Sequence, residues 1–245
     1  MDKVFRPIKI VQFLLPITLF LSACAQQSSD SVERLPDDPT SEPAPIEALL
    51  NQEPEDTEPI VEEQATQDEI LKLYDHLDPT NMVRDAALRS AVLYYHANRA
   101  KFINKNVISI IDFRSSSKLA RFFVINLKTG SVWALRTSHG KGSDSNHDGF
   151  AERFSNVSGS HASSLGYYKT AETYYGSKGY SLRLDGLSST NSNARARAIV
   201  IHGASYVQDR TVIQGRSWGC PAISMTNRTK LINMVKGGSL IYAVN

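Results

Sequence analysis

A cysteine and a histidine near the C-terminus are the residues of this sequence best placed to do chemistry. Ile199-Val200-Ile201 is typical of a buried strand, and it leads directly into His202 and Gly203. Eighteen positions after His202 comes Cys220, within the run Arg216-Ser217-Trp218-Gly219-Cys220-Pro221. Because a neighbouring imidazole can generate the reactive thiolate, the pattern favours a cysteine nucleophile with a histidine base. The alternative is an inert, buried thiol.

The residues around Cys220 suit acyl transfer. Gly219 permits close approach of a substrate backbone and unusual dihedral angles. Backbone N–H groups of Trp218–Cys220 can face a developing oxyanion. Ser217 can support the loop or bind substrate, and Pro221 stiffens the exit from the loop. This loop and the strand before His202 must therefore be brought together by the fold.

The other cysteine, Cys24, ends an N-terminal export signal. Three basic residues within the first nine positions precede a largely apolar run from Val11 to Ala23. That run is shorter than the ~20 residues a membrane-spanning helix needs. Its last residues, Leu21-Ser22-Ala23-Cys24, resemble the bacterial lipobox, which implies a signal peptide at 1–23 and lipidation of Cys24. An ordinary signal peptide that contains a cysteine is the alternative.

Residues 24–67 are interpreted as an acidic, proline-rich tether that starts at the lipidated cysteine. From Ala25 to Gln67 there are six prolines, no aromatic residue and no glycine. Residues 30–69 hold fourteen acids and one base, Arg34. Such a segment cannot bury enough apolar surface to offset its ordering entropy, and self-repulsion extends it. An acidic partner-binding region is the alternative interpretation.

The formal net charge of +2 is an average over two opposite parts of the chain. Residues 70–245 carry 23 basic and ten acidic residues, so this part is strongly basic. A basic domain attracts anionic partners. For an exported, lipid-anchored chain we expect those partners in the cell envelope, and no nucleic acid. Two cysteines also exclude a disulfide-dense scaffold and a four-cysteine zinc site.

Hydrophobic patterning predicts a mainly β fold with peripheral helices. A helical segment is expected over 68–104, before a catalytic domain over 105–245. Within them, the pattern predicts helices at 68–77, 82–98 and 227–236 and strands at 107–111, 121–126, 131–137, 166–169, 181–184, 198–202 and 239–244. A long loop rich in Ser, Gly and Asn fills 140–165, and loops of this length often form binding sites.

That loop contains half of a calcium motif. Asp144-Ser145-Asn146-His147-Asp148-Gly149 matches the opening of a calcium-binding loop, but the twelfth position is Ser155, where a bidentate Glu belongs. We therefore expect a solvated glycine turn and no metal, with calcium as the open alternative.

The segment from His202 to Cys220 resembles the catalytic motif of L,D-transpeptidases of the YkuD-like superfamily. The wider sequence is similar to one branch, the murein L,D-transpeptidase catalytic domain family, in the stretches 138–140, 154–156, 163–166, 179–184 and 215–222. The resemblance implies a β-sandwich-like domain, peptidoglycan stem peptides as substrates, and no cofactor.

The resemblance also assigns roles. Cys220 is the expected nucleophile, His202 its base, and the Gly203 carbonyl the group that orients the imidazole. Substrate binding or oxyanion stabilisation is expected of six residues: Arg216, Ser217, Trp218, Gly219, His139 and Ser164.

Two positions depart from the superfamily pattern. The commoner pattern has His at the position of Trp218 and Arg or Asn at that of Ala222. Tryptophan cannot act as a base. Because Ala222 replaces the usual Arg or Asn, another residue must bind the carboxylate of the substrate. Arg216 or Arg183 can take this role.

The sequence thus predicts an L,D-transpeptidase that forms a thioester with a stem tetrapeptide. Alternatives are a carboxypeptidase or amidase-type hydrolase acting on peptidoglycan crosslinks or protein–peptidoglycan links, and a non-catalytic, cell-wall binding lipoprotein. Ala25, rather than Asp, follows Cys24. The resemblance to lipoproteins implies that an Asp there would signal retention at the inner membrane of a diderm bacterium, so its absence favours an outer-membrane lipoprotein that faces the periplasm.

Overall fold

A computed structural model gives the structure of residues 60–245, with side chains from Thr66 onward. The predicted signal peptide, Cys24 and the tether up to residue 59 lie outside the described residues. Within the described part, no helix combines the length and the apolar character needed to cross a bilayer.

The described chain is mainly β, as the sequence predicts. Its helices are α1 (Ile60–Lys72), α2 (Asp85–Ala97) and α3 (Arg228–Val235), with short 3-10 turns at Arg99–Lys101 and Ser189–Asn191. Its strands are β1 (Val107–Asp112), β2 (Phe122–Asn126), β3 (Val132–Leu135), β4 (Gly166–Gly176), β5 (Gly179–Gly186), β6 (Val200–Gly203), β7 (Ala222–Ile223) and β8 (Leu240–Val244). They form one eight-stranded sheet in the order β3-β2-β1-β8-β4-β5-β6-β7.

The central strand β1 is buried on both faces. Its residues alternate between two apolar clusters, so Ile108 and Ile110 pack towards the α2 side while Val107 and Ile111 join the inner core that includes α3. A strand covered on both faces loses the polar alternation of a half-exposed strand. This explains why β1 reads as an almost continuous apolar run.

Helix α2 forms a layer on the sheet rather than a separate unit. Its buried residues include Ala87, Ala91 and Tyr95. Tyr167 of β4 stacks on Tyr94 of α2 at 3.6 Å and on Tyr242 of β8 at 4.4 Å between ring centroids. Tyr167 therefore packs the helical layer onto the sheet.

Helix α1 begins at Ile60, eight residues before the predicted start at 68. The opening sequence of the helix, IVEEQA, contains neither proline nor glycine. The acidic composition that predicts a tether is thus also compatible with a helix start, and the helix takes over the last residues assigned to the tether.

The segment after β3 lies alongside β7 and contacts the residues on both sides of Cys220. The Ser138 N–H donates to the Ala222 carbonyl at 2.9 Å, and Gly140 forms a parallel bridge with Ser217. The chain around Cys220 is thereby held between this segment and β6.

Candidate active site

The fold brings the two predicted reactive residues to neighbouring strands. His202 lies on β6 and pairs in parallel register with Ala222 of β7. Cys220 comes two residues before Ala222, at the entrance to β7. Its thiol donates to the Ala198 carbonyl at 3.7 Å, just ahead of β6.

His202 is held in the tautomer that a general base needs. The ring is 5% exposed, and its Nδ1 lies 3.0 Å from the Gly203 carbonyl. Because a carbonyl only accepts, Nδ1 carries the proton and Nε2 keeps its lone pair. Burial lowers the pKa of His202, so the imidazole is neutral near pH 7. Gly203 thus makes the contact that its expected orienting role requires.

The resting thiol of Cys220 is protonated. Burial raises its pKa, while a contact with the Val200 backbone and the charge of Arg197 act in the opposite direction. No hydrogen bond joins Sγ to the His202 ring among residues 60–245. Catalytic hydrogen bonds often tighten only when substrate binds, so the missing contact does not argue against the expected pair.

Two backbone amides beside the thiol are free to stabilise an oxyanion. The Gly219 N–H donates to Ser217 Oγ at 3.1 Å and is therefore occupied. In the described part of the chain, the N–H groups of Trp218 and Cys220 have no hydrogen-bond partner. Of the three amides expected from the sequence, these two are the available donors.

Gly219 is required by the shape of the loop. Its φ is +117°, and a Cβ there would lie 2.6 Å from the Ala162 carbonyl oxygen. A side chain at this position would therefore both strain the backbone and force the loop away from residue 162.

Ser217 supports the loop. Its hydroxyl lies 2.7 Å from the Cys220 carbonyl and 3.2 Å from the His139 carbonyl, and its N–H donates to the latter at 2.9 Å. Ser217 is 5% exposed. Of its two expected roles, the structure favours loop support over substrate contact.

The structure corrects the role expected of His139. It is 1% exposed, with Nδ1 2.9 Å from Arg121 Nη2 and Nε2 2.9 Å from Asp144 Oδ2. Both ring nitrogens are occupied, so His139 cannot line the substrate site. Burial, with the charge of Arg121, lowers its pKa to about 4. Its backbone carbonyl supports the Cys220 loop by accepting hydrogen bonds from Ser217.

Arg121 belongs to the same buried cluster and is not apparent from the sequence. Its guanidinium donates to the Thr137 carbonyl at 2.9 Å and the Ser115 carbonyl at 2.9 Å. Burial lowers its pKa to about 9. We call Arg121, His139 and Asp144 the buried triad.

Ser164 is likewise buried, so it does not contact substrate as expected. It is 3% exposed and its hydroxyl lies 2.7 Å from the Tyr168 hydroxyl. The Arg197 guanidinium donates to Ser164 Oγ at 3.3 Å and to the Ala162 carbonyl at 2.6 Å. Arg197, also missed from the sequence, thus fastens the loop that packs under Gly219 and places a positive charge near the thiol.

The two arginines expected to bind a carboxylate are engaged elsewhere. Arg216 donates to the backbone carbonyls of Asp144 and Ser145. Arg183 pairs with Glu172 at 3.1 Å and packs over the Tyr174 ring. Both guanidiniums therefore already have partners within the protein, through Nη1 of Arg216 and Nε of Arg183.

Trp218 presents an aromatic surface two residues before Cys220. Its side chain is 72% exposed and stacks on His161, with 4.7 Å between ring centroids. Of the six residues expected to contact substrate, Trp218 has the most accessible side chain.

The partial calcium motif forms hydrogen bonds to its own backbone and does not form a metal site in the described residues. The carboxylate of Asp144 is buried and accepts the N–H groups of Asp148 at 3.2 Å and Gly149 at 3.1 Å. The turn is therefore closed by Asp144 rather than solvated throughout. No cluster of three or more His, Cys, Asp and Glu side chains suited to a metal occurs within residues 60–245.

Residues 79–244 match the model of a protein family described as the L,D-transpeptidase catalytic domain. The chain belongs to this family. The match includes helix α2, so the helical layer and the sheet are parts of one L,D-transpeptidase domain.

Solved structures similar to this domain carry related names. They include L,D-transpeptidase 1 of Mycobacterium tuberculosis (16% identity, TM-score 0.32, 57% of this chain and 62% of that one). An L,D-transpeptidase from Mycobacterium smegmatis follows at 15% identity and TM-score 0.36, with 56% and 58% covered. L,D-transpeptidase 3 of M. tuberculosis, solved with a faropenem-derived adduct, has 14% identity and TM-score 0.37, with 57% and 60% covered.

The likeness to these structures is weak, and this chain spans about three fifths of their length. A search of the curated proteins found no match. The family assignment therefore rests on the family model.

Proposed function

We propose that this L,D-transpeptidase domain cleaves the bond between the diamino acid and the terminal D-alanine of a peptidoglycan stem tetrapeptide and transfers the acyl group to an amine. The observation that carries the proposal is the placement of Cys220 beside the strand of His202, with the amides of Trp218 and Cys220 free next to the thiol.

In the first half-reaction Cys220 Sγ attacks the scissile carbonyl. His202 Nε2 takes the thiol proton, and the two free amides stabilise the oxyanion. When the tetrahedral intermediate collapses, the C–N bond breaks and His202 returns the proton to the departing D-alanine amine. A thioester between Cys220 and the stem tripeptide remains.

In the second half-reaction an acceptor amine attacks the thioester. His202 removes a proton from this amine, the C–S bond breaks, and the thiol is restored. The product is a crosslink between two stems. Water in place of the amine gives carboxypeptidase activity, which is the second candidate function because it uses the same groups.

Product analysis separates these functions. We expect the full-length protein, mixed with purified tetrapeptide muropeptides, to release D-alanine and to form crosslinked dimers detected by mass spectrometry. D-Alanine release without dimers, even with excess acceptor, would assign the protein as a hydrolase. No reaction under either condition would contradict the proposal and leave the non-catalytic binding function.

Our proposal places the domain at the outer membrane, facing the periplasm, through a lipid on Cys24. The sequence pattern around Cys24 supports this part. Metabolic labelling with a fatty-acid analogue should mark the full-length protein, and Cys24→Ser should abolish the label and move the protein to the soluble fraction. Equal labelling of the variant would reject the anchor.

A further inference from the structure

A cationic groove of about 450 Å³ adjoins the His202 strand. It is bounded by the turn between β4 and β5, the residues just after His202, and the start of α3. Its lining includes Lys178, Gly179, Gly203, Tyr206, Met225 and Arg228. We call it the Arg228 groove.

The hydrogen-bond donors of the Arg228 guanidinium have no acceptor among the described residues. Its Nε is buried without a hydrogen-bond partner, and within residues 66–245 its guanidinium forms no hydrogen bond or ion pair. Arg121 and Arg197, by contrast, donate to several backbone carbonyls. A buried donor left unpaired is costly. A ligand that accepts from the guanidinium would remove that cost.

The Arg228 side chain packs against two glycines, Gly179 and Gly203, beside the His202 strand. A Cβ on Gly203 would lie 2.9 Å from Arg228 Cδ, and a Cβ on Gly179 would lie 2.9 Å from its Nη1. The side chain therefore lies across both glycines, next to the residue whose carbonyl orients His202. The groove and the catalytic histidine share this stretch of backbone.

Lys178 adds a second positive charge at the same end of the groove. Burial is the main cause that lowers the pKa of His202, and the charge of Lys178 lowers it further. Lys178 thus lies within electrostatic reach of the imidazole. It forms no ion pair within the described residues.

We propose that Arg228, assisted by Lys178, binds a carboxylate of the stem peptide and so sets the substrate's register relative to Cys220. This proposal rests on the proposed function. A planar guanidinium suits carboxylates because it can donate two parallel hydrogen bonds. Two carboxylates have the required chemistry: that of the terminal D-alanine and that on the side chain of the diamino acid.

Binding measured without turnover tests the proposal. In a full-length Cys220→Ala background, calorimetry with a synthetic stem tetrapeptide should show roughly 10- to 100-fold weaker binding for Arg228→Gln, which is the effect expected for a charged hydrogen bond. Arg228→Lys should lie between, and Lys178→Gln should weaken binding less. Lys128→Gln, an exposed charge in the turn between β2 and β3, is the matched control and should change nothing.

Folding is monitored in the same variants. Because the buried Nε is unpaired, Arg228→Gln should melt at or above the temperature of its parent. Weaker binding together with an unchanged melting temperature supports a ligand contact. Weaker binding that tracks a lower melting temperature in Arg228→Gln, but not in Arg228→Lys, would overturn it.

Two modified peptides distinguish the carboxylates. One has a C-terminal amide on D-alanine, and the other an amide on the side-chain carboxyl of the diamino acid. Arg228→Gln should cause no further loss for the peptide that lacks the recognised group. Equal affinity of parent and Arg228→Gln for all three peptides would refute the proposal. Binding as expected, without turnover by the Cys220 protein, would refute the proposed function alone.

Discussion

Replacing Cys220 with alanine should abolish D-alanine release from tetrapeptide stems and leave the fold unchanged. Cys220 is the free cysteine of the described chain, and its thiol donates a long hydrogen bond, 3.7 Å to the Ala198 carbonyl. Removing it deletes the proposed nucleophile and a single partly buried sulfur atom that packs against the inner core. We expect the rate to fall by at least about 10³-fold, measured by mass spectrometry of the products.

Cys220→Ser is the matched control, since it keeps the size of the side chain but replaces the thiol with a hydroxyl of much higher pKa. Its activity should also be near background, with an unchanged melting temperature. A carbapenem-type probe that acylates the thiol should label the parent and not Cys220→Ala. Unchanged D-alanine release by Cys220→Ala would disprove the role of this thiol.

His202 and Cys220 could be proposed as a pair from sequence because the signals around them are local. A β-branched run leads into His202, and a glycine-containing loop carries Cys220, so strand and loop are both evident. Their juxtaposition was not evident. It depends on β7, a strand of two residues with no readable periodicity, which pairs with β6 through His202 and Ala222.

The sequence did not identify the residues that hold the site together. Arginine is usually exposed, and only tertiary contacts show that Arg121 is fully buried and Arg197 pinned to a loop. His139 was misassigned for the same reason. Its position before Gly140 suggests a loop residue at the site, and only its partners on both ring nitrogens reveal a supporting role.

The predicted start of helix α1 is wrong because the composition typical of a polar tether overlaps with the residues that form the helix. Residues 60–67 are acidic enough to suggest a disordered tether, yet they begin α1. Strands β4 and β5 extend beyond their predicted ends because their outer parts are half-exposed and carry polar residues. A sequence pattern based on apolar alternation detects only the buried part of such strands.

The buried triad leads to the second large effect: Asp144→Ala should destabilise the domain by about 3–5 kcal/mol, the cost typical of breaking a buried charge pair. Asp144 is 0% exposed and accepts from His139 at 2.9 Å and from the Gly149 N–H at 3.1 Å. Its loss removes one of the two carboxylates, Asp144 and Asp112, whose charges act on the buried Arg121 guanidinium. Urea unfolding of the full-length protein measures the change.

Asp144→Asn is the matched variant, because an amide oxygen can still accept from His139 and Gly149 while the charge is gone. If the charge matters most, Asn should lose nearly as much as Ala. If the hydrogen bonds matter most, Asn should lose much less. Equal stability of all three proteins would contradict the assigned role of the triad.

The pH dependence of unfolding tests whether His139 is the neutral middle member of the triad. Its pKa in the folded protein is about 4, below the value of about 6.5 expected when unfolded. Between these values only the unfolded chain takes up the proton, so stability should fall as the pH drops, by up to about 1.4 kcal/mol per pH unit. His139→Gln should flatten this slope in urea titrations, although His202 retains its own contribution. A wild-type slope in His139→Gln would show that His139 does not stay neutral inside the fold.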